Sequence, residues 1–66
     1  MDPQQAWSDL SKAVDHGNWL KATEIAEELV EWMGKGGFPP TLTGKTNFDR
    51  IVVNAACQAI ACWEFA

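Results

Sequence analysis

The chain has little of what catalysis, metal binding or nucleic-acid binding ordinarily requires. Histidine occurs once, at His16, so a di-metal site of the helical-bundle kind, which needs Glu-x-x-His on more than one helix, cannot be assembled. Basic residues are few: five Lys plus Arg against nine Asp plus Glu give a net charge of −4 and a pI near 4.6. They are scattered singly and form no patch to track phosphates, so nucleic acid is not expected as a direct partner. No window approaches the roughly 18 consecutive apolar residues of a membrane span. Met1-Asp2-Pro3-Gln4-Gln5 lacks the basic and apolar regions of a signal peptide, so a cytoplasmic location is expected and a membrane is not. Cysteine is scarce as well. Cys57 and Cys62, five residues apart on one predicted helix, lie about 140° apart around its axis and roughly 7.5 Å along it, too far to bridge. Free thiols in a reducing compartment are the expectation.

What is present points to a small helical domain. The 66 residues form one domain, residues 1–66, in the size range where folding hides only about 60% of the surface of the unfolded chain. Four tryptophans, Trp7, Trp19, Trp32 and Trp63, fall on all the predicted helices, and together with three phenylalanines they enlarge an otherwise alanine-rich core.

The expected fold is all-α, a three-helix bundle made of an antiparallel hairpin and a third apolar helix, with helices over about 3–16, 18–34 and 47–64. Asp2 with Pro3 is a strong start for the first, and Gln5 is placed for a capping box. Ala6, Trp7, Leu10, Ala13 and Val14 then follow the spacing of one inward stripe. Gly17 can end this helix in a left-handed cap, and Asn18 can cap the next. The second helix carries Trp19, Ala22, Ile25, Ala26, Leu29, Trp32 and Met33 on one face. Lys21, Glu24, Glu27, Glu28, Glu31 and Lys35 lie opposite, with Glu31 and Lys35 in the favourable order for an ion pair. Gly34, Gly36 and Gly37 stop it, Pro39 and Pro40 prevent a restart, and Phe38 and Leu42 are expected to pin the crossover into the core. Thr46 or Asn47 can cap the third helix, with Asp49 completing a capping box from Thr46.

The third helix differs in kind. Between Arg50 and Glu64 it has no charge, and only Asn54 and Gln58 are strongly polar. A bundle helix needs one buried stripe about 100° wide, and this one is apolar over far more. Arg50, Asn54 and Gln58 make a narrow polar line at i, i+4 and i+8, which leaves two apolar flanks for two different neighbours.

Gly17, Trp19, Ala22, Ala26 and Leu29 resemble the bend and second helix of a tetratricopeptide unit, over about half the chain. Trp7 and Leu10 have the three-residue spacing of that family's first helix but sit one residue too close to Gly17, Ser11 stands where a small apolar residue belongs, and Pro39 comes late. The resemblance implies a single degenerate hairpin built on Gly17, Trp19, Ala22 and Ala26. It does not imply a peptide-binding groove. The run from Trp32 to Pro40 is similar to the end of a hairpin in small uncharacterised bacterial helical proteins, which implies a helical module and no mechanism.

Other chemistry fails on spacing. Gly44-Lys45-Thr46 has the tail of a phosphate-binding loop, but the first glycine of that motif is Pro39 here. Ser8, Ser11, Asp9, Asp15 and His16 share one helix, with no glycine-bounded nucleophile among them. His16 suits the negative end of the first helix. No enzyme activity, catalytic residue, cofactor or metal site is therefore expected. The chain reads as a protein–protein interaction module that self-associates or binds a protein partner through the third helix, with Val53, Cys57, Ile60, Ala61, Trp63 and Phe65 as interaction residues. The alternative is a regulatory adaptor that engages a basic partner through the acidic face of the second helix.

Overall fold

In the computed structural model, which describes residues 2–62, helix α1 covers Pro3–Asp15, α2 Trp19–Gly34 and α3 Thr46–Ala61. The fold is the expected all-α three-helix bundle. Asp2 starts α1 by accepting the amides of Gln4 and Gln5 at 3.1 and 3.2 Å on one carboxylate oxygen, with Pro3 in the first turn. Gln5 does not reach back to complete a capping box; its side-chain amide donates forward to Asp9 at 2.9 Å.

The α1–α2 turn is short because two caps share it. His16 is the C-cap of α1, and Gly17 takes the left-handed conformation at φ +70°. The amides of Gly17 and Asn18 close back on the carbonyls of Val14 and Ala13 at 3.1 and 2.9 Å, the paired bonds of a Schellman ending. The Asn18 side chain then accepts the Lys21 amide at 3.3 Å and opens α2. The same ending recurs after α2, where Gly36 at φ +91° and Gly37 donate to Met33 and Trp32. Gly34 is still helical, and the stop comes at Gly36.

Ala22, Ile25, Ala26, Leu29 and Met33 of α2 are buried together with Leu10 and Ala13 of α1 and Val53 and Cys57 of α3. Trp7, Trp19 and Trp32 are half-buried and pack against this cluster rather than filling it. Trp63 lies outside the described residues. Helix α2 is central: it packs against both neighbours, whereas among the described residues no α1 Cα comes within 8 Å of an α3 Cα. That arrangement leaves α3 with a single helical neighbour.

The crossover between α2 and α3 is held differently from the expectation. Phe38 is 75% exposed and Leu42 is exposed too; Pro39 and Pro40 are the residues that bury. Rigid prolines supply apolar contact with little entropy to lose, which makes them suitable plugs for an irregular segment. The Trp32 indole N–H donates to the Phe38 carbonyl at 2.8 Å, and the Thr41 amide donates to the Gln4 side chain of α1 at 2.8 Å.

The start of α3 also departs from the expected capping box. The N-cap is Lys45, without a side-chain hydrogen bond, so Asp49 stands one residue beyond the position from which it could serve the helix start. Its buried carboxylate points to the crossover instead, and accepts the amides of Leu42, Thr43 and Gly44 and the Thr43 hydroxyl, at 2.8 to 3.3 Å.

Candidate functional site

The candidate surface is the outward face of α3, and its position follows from which side of that helix turns inward. Asp49, Val53 and Cys57, spaced four residues apart, form the buried side against α2. Phe48, Ile51, Ala55, Ala59 and Cys62 occupy the opposite side, and all five are exposed. Phe48 is 53% and Ile51 67% exposed. At about 100° per residue these five positions span an arc of roughly 80°, so they form one straight stripe along the helix.

The stripe is uncharged, and the nearest charged side chains of the helix are engaged elsewhere. Asp49 is committed to the crossover. Arg50 donates from Nη1 to the Met33 carbonyl at 3.3 Å, placing a cation at the C-terminal end of α2, where the helix dipole favours it. Asn54 and Gln58 flank the stripe and pair with one another, the Gln58 amide donating to the Asn54 carbonyl oxygen at 3.4 Å. With Arg50 they border a cleft of about 300 Å³ completed by Val30, Met33 and Gly34. The expected polar line at Arg50, Asn54 and Gln58 is thus real, and it runs beside the α2–α3 seam.

Several residues read from sequence as interaction positions lie elsewhere. Val53 and Cys57 are fully buried in the chain's own core and have no surface for a partner. Ile60 is half-buried against that core, and Ala61 is half-buried at the end of α3. Trp63 and Phe65 lie outside the described residues. An evenly apolar helix does not reveal from sequence which flank is covered; the exposed one is the stripe at 48, 51, 55, 59 and 62, whose first member precedes the uncharged run.

The two thiols occupy opposite environments. Burial pushes the Cys57 thiol up to about 11, whereas Cys62 is exposed at the end of the stripe; both are free. At Asp49, burial raises the carboxyl pKa, but the Thr43 hydroxyl and the amides of Leu42, Thr43 and Gly44 favour the charged form more strongly. The balance leaves the pKa below its ordinary value of 3.8. The amides that a phosphate-binding loop would offer to a ligand are consequently occupied by the protein's own carboxylate. Gly44-Lys45-Thr46 serves as the turn into α3, with Gly44 at φ +87°.

On α2, Glu24, Glu27, Glu28 and Glu31 are exposed. Glu31 pairs with Lys35 at 2.9 Å, and Glu28, Glu31, Trp32 and Lys35 border a second cleft of about 250 Å³. Among the described residues no group of three or more His, Cys, Asp or Glu side chains converges on a metal position, and no helix is long and apolar enough to cross a membrane. No protein-family model matches the chain, and no curated protein or solved structure matches it.

Proposed function

We propose that this protein is a non-enzymatic interaction module that docks through the outward face of α3. The observation that carries the reading is the stripe of Phe48, Ile51, Ala55, Ala59 and Cys62, exposed along one side of a helix whose other side is already buried. Large apolar side chains left in water on one continuous face mark a surface that gains free energy by being covered. Helix α3 is packed along its buried side against α2, so the face is presented on a preformed helix. A preformed surface of this kind loses little entropy on binding.

Substitution at the middle of the face tests the reading. Ala55→Glu replaces an exposed helical residue without touching the core, so the fold is retained by circular dichroism. A protein captured from native cells by the parent chain and lost with Ala55→Glu supports docking through α3; equal capture by both refutes it. The exposed carboxylates of Glu24, Glu27 and Glu28 favour a second reading, an adaptor whose acidic α2 face binds a basic partner. Ionic strength separates the two, since a complex made through exposed charges weakens steeply as salt rises and one made through the α3 stripe does not.

A further inference from the structure

We infer that the Asp49 carboxylate is a catch that controls the docking face. While it holds the crossover, the first turn of α3 is formed and Phe48 stands in line with the stripe; when it lets go, that turn frays and the face is shortened. The inference rests on α3 being the docking face and adds its means of control.

Little else holds this part of the chain. Residues 41–48 are all exposed, and Asp49 is the only buried side chain between Pro40 and Val53. The end of the crossover and the first turn of α3 therefore have no apolar anchor of their own. Nor do they have a cap. A helix start leaves four amides without an intrahelical partner, and a side-chain oxygen at the N-cap ordinarily takes one of them. Asp2 and Asn18 do so for α1 and α2, whereas Lys45 at the start of α3 makes no side-chain hydrogen bond.

Asp49 supplies the fastening instead. Its carboxylate reaches back past the N-cap to the amides of Leu42, Thr43 and Gly44 at 3.0 to 3.3 Å and to the Thr43 hydroxyl at 2.8 Å. The Thr43 hydroxyl oxygen in turn accepts the Lys45 amide at 3.2 Å, and the Lys45 carbonyl accepts the Asp49 amide at 2.8 Å. These bonds close a ring around the helix start, with the crossover on one side and the first turn on the other. At the far end of the segment, the Thr41 amide ties it to Gln4 of α1.

The catch depends on one charge. Its partners are amides and a hydroxyl, and among the described residues no ion pair reaches it, so every bond draws on the negative charge of the carboxylate itself. Removing that charge undoes the ring and leaves the bundle in place, because Val53 and Cys57 are buried against α2 beyond the first turn. A segment with so few apolar contacts opens locally at a lower free energy than the whole fold. Phe48 is the third residue of α3 and lies inside the controlled turn, while Ile51, Ala55, Ala59 and Cys62 lie beyond it. Release therefore weakens docking by removing one end of the face and does not abolish it.

Amide hydrogen exchange on the full chain at neutral pH, compared between the parent and Asp49→Asn, tests the catch. Asparagine keeps the shape, loses the charge and turns a donor toward the amide donors. Protection at residues 42, 43, 44 and 49 should fall at least about ten-fold, the weight of one hydrogen bond to a charged group, while Val53 and Cys57 keep their parent protection. Thr43→Val removes the hydroxyl alone; it should show a smaller loss at the same amides, and it carries the test should Asp49→Asn not fold. Release of residues 42–44 with unchanged protection at residue 49 overturns the inference. So does an equal loss at Val53 and Cys57, which would make Asp49 a stabiliser of the whole bundle. Binding completes the test: a partner lost with Ala55→Glu should be held more weakly, but still held, by Asp49→Asn, and undiminished affinity shows that the catch does not control the face. If Ala55→Glu binds as the parent does while the exchange pattern holds, the docking reading fails and its control with it, and the catch remains a property of the helix start alone.

Discussion

Two glycines three residues apart should respond in opposite directions to the same substitution. Gly34 is the last residue of α2, and a methyl group added there meets nothing within 4 Å. Alanine at that position removes freedom from the unfolded chain at no steric cost and should stabilise by about 0.4–1 kcal/mol. At Gly37 the same methyl would lie inside the Trp32 indole, 2.6 Å from Cδ2 and closer still to Cε2. The ring cannot simply swing aside, because its N–H is bonded to the Phe38 carbonyl at 2.8 Å and its body packs against the core. Overpacking costs about 1–3 kcal/mol, and loss of the indole hydrogen bond adds about 0.5–1.5 kcal/mol. For a domain of this size 1 kcal/mol corresponds to about 4–8 °C in Tm. Gly34→Ala should therefore raise Tm by a few degrees, and Gly37→Ala should lower it by about 6 °C or more, both read by thermal melts followed at 222 nm. Gly37 is not in the left-handed region, so backbone strain plays no part in its expected loss. Equal shifts for the two variants would refute the claim that the Trp32 ring anchors the crossover.

The Asp49 latch gives a pH-dependent prediction. Its carboxyl pKa is held below 3.8, so the charged form is the one bound by the loop amides, and its contribution to stability is present above the ordinary carboxylate range. It is lost as pH falls through the lowered folded value. The amides of Leu42, Thr43 and Gly44 should exchange hydrogen slowly near neutral pH, and Asp49→Ala should release them; unchanged protection of all three would show that the carboxylate is not what holds the loop. The cysteines should differ under native conditions. Cys62 should react with a thiol reagent at pH 8 and Cys57 only after unfolding, and two equally fast thiols would contradict the placement of Cys57. Because Cys57 rises from 9.0 to about 11, the folded state keeps a proton that the unfolded chain releases, so stability should decline between those pH values, and Cys57→Ala should flatten that decline.

The local signals in the sequence carried the helices and both turns. Asp2-Pro3, His16-Gly17-Asn18 and the glycines after Met33 act within a few residues of themselves, so their outcome depends on backbone chemistry and little on the rest of the chain. The periodicity of α1 and α2 likewise chose their buried faces, since charges fill the other side. Helix α3 offered no such contrast. With apolar residues nearly all round, its inward side was decided by where α2 lay and by Asp49 being drawn to the crossover amides, both contacts between segments that meet only once folded. The same holds for Phe38 and Leu42, left outside because the prolines beside them fill the core, and for the Thr46 capping box, displaced when its carboxylate found stronger donors. By itself, then, the sequence determined a helical hairpin and a third helix without charge beyond Arg50. Only the tertiary structure decided which flank of α3 is covered by α2 and which remains exposed as Phe48, Ile51, Ala55, Ala59 and Cys62, because burial is a property of what a side chain meets and not of the side chain alone.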